Sequence, residues 1–376
     1  MRHLYLLRSL VWILMFSLLI TGCWDRREIE ERMSVTSLAI DPDKKGYEVT
    51  AIVPIPTKII GGGGGGGGGG EGSAVEVFSS SGGNLGYVIN MLNEKTTESI
   101  YLGNTQIVLI GEGQAKRGIG PFIDFLRRNP EVRRQLWPVV IKGKAKDAVK
   151  VQTNLEQVPT NYIKDLLETG VEGEEIPNFY LGKLFVELSS PARQAPIVNY
   201  IRAEKDKYEW LGVAIFKKDK MVGTLEDKAE LSVLLHLREQ KKGRIITTTC
   251  PDRKEEIVFM PHDVKRTITV TDQPQVRANI EIRGEIIEKG CALGFDQKKA
   301  FNAIEKQLEA AYEKKAKHLM DRAQKEWKLD IFHFGDWVRA FRPELWKRID
   351  WHHTFPSIPI QVNYKVMVKQ IGIESQ

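Results

Sequence analysis

The 376-residue chain is 42% hydrophobic and 28% charged, with 55 basic residues, 49 acidic residues, a net charge of +6 and three cysteines. Such a length exceeds one ordinary domain and allows two or three, and the apolar content excludes a disordered chain. Interspersed charges lack the concentrated basic stripe of a nucleic-acid binder, and no Cys-x-x-Cys pair is present to build a zinc ribbon or thioredoxin-type site.

The N-terminus carries Arg2, His3 and Arg8, followed by an apolar run from Leu10 to Ile20 broken only by Ser17. Eleven helical residues rise about 16 Å, roughly half of a bilayer's hydrocarbon core, so the run reads as a signal peptide over residues 1–22. It ends in Leu19-Ile20-Thr21-Gly22-Cys23. This resembles the bacterial lipobox, a branched apolar residue and two small ones before a cysteine that becomes a thioether to diacylglycerol. Cys23 is therefore the expected lipidation site, and its lipid the expected membrane anchor. Two acyl chains hold at about 0.8 kcal/mol per buried methylene, where one chain would be marginal. Removal of residues 1–22 takes away Arg2 and Arg8 and lowers the net charge from +6 to +4.

After a charged stretch from Trp24 to Arg32, Val35–Ile40 predicts a strand, Asp41-Pro42-Asp43 a turn, and Tyr47–Pro54 a second strand ended by Pro54 and Pro56. Gly61 to Gly70 is an unbroken glycine tract. Glu71-Gly72-Ser73 follows it instead of the Lys-Ser or Lys-Thr of a phosphate loop, so a floppy excursion between strands is expected. A strand at Ala74–Ser80, a helix around Asn84–Leu92, a strand at Gln106–Ile110, a helix at Ile119–Arg128, a strand at Trp137–Ile141 and a helix from Lys146 follow. Gly111-Glu112-Gly113 is half of a dinucleotide fingerprint with its third glycine misplaced, and reads as a turn. Residues 23–150 thus form an expected mixed α/β domain. Tyr162, Leu166 and Leu167 share a helical face, and Phe179–Leu188 continues the pattern, giving a helical middle unit over residues 151–205.

From Tyr208 the pattern changes. Leu211–Phe216 and Met221–Thr224 predict a hairpin, and strand-like runs follow at Arg244–Thr249, Ile257–Phe259, Thr267–Val270 and Val276–Ile287. Phe295–Trp327 is the clearest helix, with Phe301, Ile304, Leu308, Tyr312 and Leu319 at helical spacing and Lys and Glu on the opposite face. An amphipathic stretch at Trp337–Trp346 and a closing strand at Ile358–Val368 complete a C-terminal α+β domain over residues 206–376. The expected fold class is α+β: several domains of mixed sheets with packed helices, and a long amphipathic helix in the last.

Catalytic, cofactor and metal residues are not expected. The chain has no Gly-x-Ser-x-Gly elbow, His-Glu-x-x-His helix, Walker loop or EF-hand. His352-His353 lies among aromatic residues, which favours a structural or interfacial role over metal binding. Glu172, Glu174 and Glu175 read as a solvated loop. Cys250 and Cys291 either pair after export or stay free; spacing alone does not decide.

The run Cys23-Trp24-Asp25-Arg26-Arg27-Glu28-Ile29-Glu30 resembles the opening of the Ger(x)C family, and the likeness continues through Val35–Asp41. It returns at Phe216–Leu225 and again at Asp336-Trp337 through Trp346, closing with Ile358–Val368. The glycine tract departs from the family pattern. The resemblance implies a non-catalytic lipoprotein subunit of a nutrient germinant receptor. It would be held by palmitate-type lipid on the extracytoplasmic face of the spore inner membrane and would join two integral membrane subunits of A and B type. The alternative function, a solute-binding lipoprotein of a transporter, requires two similar α/β lobes around a cleft.

Overall fold

The computed structural model describes residues 2–19, 32–44, 46–60, 73–153, 155–250, 255–289 and 297–371. Elements of the first part are α1 (Arg2–Leu19), β1 (Arg32–Ser34), β2 (Ser37–Asp43), β3 (Gly46–Pro54), α2 (Pro56–Ile60), β4 (Val75–Gly82), α3 (Leu85–Asn93) and β5 (Ser99–Tyr101). Next come β6 (Ile107–Gly111), α4 (Glu112–Arg117), α5 (Gly120–Arg128), β7 (Trp137–Ile141), α6 (Ala145–Ala148), α7 (Pro159–Glu172), α8 (Leu181–Ser189) and β8 (Ile197–Ala203). The last part holds β9 (Tyr208–Lys217), β10 (Lys220–Leu225), α9 (Lys228–Glu239), β11 (Ile246–Thr249), β12 (Glu256–Val270) and β13 (Val276–Lys289). It ends with α10 (Gln297–Asp321), a π-helical continuation Arg322–Trp327, α11 (Phe334–Phe341), α12 (Pro343–Arg348), α13 (Trp351–Thr354) and β14 (Ile360–Ile371).

One eight-stranded sheet has the order β10-β9-β8-β7-β6-β2-β3-β4. Its centre, β2, β6, β7 and β8, is parallel, and antiparallel strands flank it on both sides. Every residue of β6 and β7 is buried, as expected of parallel strands covered on both faces. Pro138 sits inside β7, but pairing with β8 begins only at Val139, so its missing N–H costs no ladder bond there. A second sheet, β11-β12-β13-β14, is antiparallel except for the parallel pair β13 and β14. The mixed α+β class with its long helix is as the sequence indicates. The eight-stranded sheet takes β8 from before the expected boundary at 205/206 and β9 and β10 from after it. A third, two-stranded sheet pairs β1 with β5 in parallel, and the two larger sheets differ in size and topology, unlike the two similar lobes of the solute-binding alternative.

Several local expectations are corrected. The strand expected to stop before Asp41-Pro42-Asp43 runs through it. Pro42 pairs with Tyr47 but lies past Ile40, the last residue of β2 paired to β6, where a missing N–H goes unused. Gly111-Glu112-Gly113 is the junction from β6 into α4 and not a turn, and the helix expected from Lys146 is the single turn α6. The separate strands expected at Ile257–Phe259 and Thr267–Val270 are one strand, β12, which absorbs Pro261 in a bulge. Trp337–Trp346 is two helices broken at Arg342-Pro343, because proline cannot continue the first helix's hydrogen bonding. α9 is absent from the sequence-based reading, and its burial explains why. Glu230 to Leu237 are all buried, so no polar face marks a stripe; only Asp227, capping the N–H groups of Ala229 and Glu230, signals the start.

Candidate anchor and interdomain site

Cys23, the expected lipidation site, lies outside the described residues, as does the glycine tract Gly61–Gly70. What precedes the cysteine is described: α1 runs from Arg2, earlier than the apolar run alone suggests. Its side chains at Tyr5, Leu6, Leu7, Leu10, Val11, Trp12 and Met15 are all more than half exposed. None of them belongs to the continuous core that joins both sheets. The described apolar side chains of this helix thus leave surface to bury. Among the described residues, no helix is long and apolar enough to cross a membrane.

The glycine tract leaves from α2 and returns at β4. Its ends are pinned by the Ile55 N–H donating to the Ala74 carbonyl at 2.8 Å and by Lys58 Nζ donating to the Ser73 carbonyl at 3.3 Å.

The deepest charged cluster joins α8 of the first half to α9 and the segment before α11. Glu187 and Arg238 form an ion pair with side chains only 4% and 3% exposed. Arg238 Nη1 also donates to the Ile331 carbonyl at 2.8 Å, and His333 Nε2 lies 3.5 Å from Glu187 Oε1. Burial works to raise the Glu187 carboxyl, but the Arg238 guanidinium and His333 outweigh it and hold it below its ordinary value. The His333 imidazole is pushed down by burial and by the charge of Arg238. His333 adopts the left-handed region at φ 64°, which turns the chain toward α11.

Asp330 ties the same segment into a knot. Its carboxylate accepts from the N–H groups of Phe332 (3.2 Å), Phe334 (3.1 Å) and Gly335 (2.7 Å), and from Trp351 Nε1 (2.9 Å). Burial raises its pKa despite these donors. Gly335 is required here, because a Cβ would lie 2.7 Å from the Trp351 ring. Asp336 pairs with Arg193 from the loop after α8, while Trp337 stacks on Phe341 with ring centroids 5.4 Å apart and carries Arg266 over its face. The Asp-Trp motif singled out in the sequence thus belongs to the joint between the halves.

Of the other residues weighed in the sequence, Glu172 is exposed at the end of α7, and the following have structural partners. Asp41 is buried and its two oxygens accept from the Ala145 and Lys146 N–H groups at 2.8 and 2.7 Å, holding α6 against the end of β2. Glu174 accepts from the Lys242 N–H at 3.1 Å and Glu175 pairs with Arg244 at 2.9 Å, so this loop clamps the segment before β11. His352 Nε2 bonds the Pro191 carbonyl at 2.7 Å, and His353 Nδ1 sits 2.8 Å from Asp350, which caps α13. Cys250 is disulfide-bonded; Cys291, like Cys23, lies outside the described residues. Among the described residues, no group of three or more His, Cys, Asp or Glu side chains is placed to hold a metal ion. A hollow of about 790 Å³ between α7, β9 and α9 is lined by Tyr162, Leu166, Ile176, Trp210, Lys228 and Arg244. Glu187, Arg238, Asp330 and His333 escape sequence reading, since their meeting depends on long-range packing.

Comparison with known proteins accounts for almost the whole chain. The family model "Spore germination protein N-terminal domain" matches residues 25–203, and the model "Spore germination B3/GerAC like, C-terminal" matches residues 211–372. The putative spore germination protein YfkR of Bacillus subtilis (strain 168) is 27% identical over 371 residues, covering 96% of this chain and 95% of its own. Spore germination protein KC of the same organism is 23% identical, covering 97% and 96%. Spore germination protein GerQC of Bacillus cereus is 23% identical, covering 96% and 99%. The crystal structure of the GerBC protein superposes with a TM-score of 0.57 at 17% identity, over 88% of this chain and 96% of that one. The chain belongs to the Ger(x)C family of spore germination proteins.

Proposed function

We propose that this protein is the lipid-anchored C-type subunit of a nutrient germinant receptor, acting by contact with two integral membrane subunits of A and B type. The observation that carries this reading is the pairing of two spore germination domains, over residues 25–203 and 211–372, with an N-terminal helix whose described apolar side chains are exposed. In this reading α1 is the export signal, Cys23 takes the lipid, and the folded halves lie on the extracytoplasmic side of the spore inner membrane. A disulfide at Cys250 suits an oxidising compartment. The subunit has no chemistry of its own. Lipid tethering raises its effective concentration beside its partners, so a modest interface suffices.

The test is affinity purification of the tagged lipoprotein from detergent-solubilised spore membranes, followed by identification of what is retained. Two integral membrane subunits encoded as receptor components are expected, and the Cys23→Ala protein should retain far less of them. Recovery of a transporter's permease and ATPase in their place would overturn the proposal.

A further inference from the structure

The free edge of β14 is occupied by carboxylates. β14 closes the four-stranded sheet, with β13 on one side and, among the described residues, no strand on the other. On that open side Glu305 Oε1 accepts from the Val368 N–H at 2.9 Å, Glu309 Oε1 from the Val366 N–H at 3.1 Å, and Glu313 Oε1 from the Tyr364 N–H at 3.1 Å. The three glutamates are spaced by four on α10 and the three amides by two on β14. Four helical residues rise about 6.0 Å and two strand residues about 6.6 Å, so the two rows stay matched over both steps. Helix and strand run in opposite directions, since 305, 309 and 313 meet 368, 366 and 364.

Position on the helix is fixed independently. Ile304, Leu308, Tyr312, Ala316 and Leu319 are buried and seat α10 in the core, which turns the adjacent glutamate row toward the strand edge. An unpaired row of strand amides is a template for another chain, and proteins blunt such edges by shortening, charging or covering them. Here the opposite edge strand, β11, is only four residues long, whereas β14 has twelve. The long edge is the one that receives the carboxylates.

We propose that Glu305, Glu309 and Glu313 form an edge seal that takes the place of a fifth strand and keeps β14 from pairing with β14 of a second copy. A two-fold pairing of identical edges is the contact the exposed strand would offer most directly, because each copy presents the same row to the other. Anionic charge adds to the block, since the two glutamate rows would meet in any such pairing.

The full-length lipoprotein, purified in detergent, tests this with three variants. E305A/E309A/E313A removes the acceptors, E305Q/E309Q/E313Q keeps an acceptor oxygen at each position, and K306A/K314A/K317A removes three exposed charges of the same helix. Amide exchange at 364, 366 and 368 should rise at least tenfold in the alanine variant and remain within about threefold of wild type in the other two. Light scattering should show dimers or larger species for the alanine variant alone. Unchanged exchange and mass in the alanine variant would overturn the proposal, as would glutamine behaving like alanine. If the alanine variant does not fold, the wild type decides: slow exchange at the three amides supports the seal, and exchange as fast as in an exposed loop overturns it.

Discussion

Replacing Arg238 with methionine should cost far more than an ordinary ion-pair deletion. The side chain packs almost completely out of solvent between α8 and α9, and its partner Glu187 is equally buried. Methionine approximates the volume of the stem but strips the guanidinium from Glu187 and the donor from the Ile331 carbonyl. Breaking a buried pair from one side leaves an uncompensated charge and costs about 3–5 kcal/mol, a large part of a total stability of about 5–15 kcal/mol. The sign with pH is fixed by Glu187. Its folded pKa is depressed, so the pair's stabilisation is present above the unfolded carboxyl's pKa and lost as pH falls through the folded value. In the variant the carboxyl keeps only His333 and takes up a proton more readily, so the gap between variant and wild type should narrow in acid. The double variant Glu187→Leu/Arg238→Met removes both charges and should recover most of the loss, leaving about 1–2 kcal/mol for the unpaired Ile331 carbonyl. Denaturant unfolding of both singles and the double completes the cycle. A cost below about 1 kcal/mol for Arg238→Met, or a double variant as unstable as the sum of the singles, would refute this account of the joint.

Cys23→Ala should abolish fatty-acid labelling and shift the protein from the membrane to the soluble fraction; persistent label would show that another residue carries the lipid. Shortening Gly61–Gly70 to two or three residues should change stability by only about 1 kcal/mol, at about 0.6 kcal/mol per halving of the loop, because hydrogen bonds at Ile55 and Lys58 already hold its ends together. A thermal shift much beyond that would reveal an ordered role for the tract. His236 is buried between the Tyr364 hydroxyl and the Lys242 carbonyl, and burial pushes its pKa down to about 4 from an ordinary 6.5. The folded state thus favours the neutral ring, so its stabilisation is whole above pH 6.5 and is lost as pH falls toward 4, about 2 kcal/mol by pH 5. His236→Gln should flatten that acid dependence, and an unaltered slope in denaturant titrations between pH 7 and 5 would contradict it.

Legibility in the sequence followed how one-sided each element's burial is. α10 was plain because Ile304, Leu308 and Tyr312 are buried beside an exposed row of lysines. α9 was hidden because it is buried all round. Strand limits failed at Pro42 and Pro261, whose tolerance depends on which neighbour is present at that rung and on a bulge. Acidic residues were visible as types but not as partners: Glu305, Glu309 and Glu313 read as a solvated face, and only the register against β14 gives them a task. The joint was least legible, since residues 187, 238, 330, 333 and 351 meet only after both halves fold. Its Asp336-Trp337 motif stands out in the sequence by family likeness alone, while the reason for it lies in Arg193, Phe341 and Arg266. The proposal of lipid at Cys23 rests on local residues alone, Leu19 to Cys23, and needs no fold.

The central claim, that this chain is a receptor subunit working by contact, is tested most directly by deleting its gene in the spore-forming host and measuring germination on a panel of nutrients. The deletion should abolish the response to one nutrient class and spare germination by agents that bypass receptors. The wild-type gene should restore that response, and the Cys23→Ala gene should restore it poorly. A deletion mutant that germinates normally on every nutrient would contradict the account.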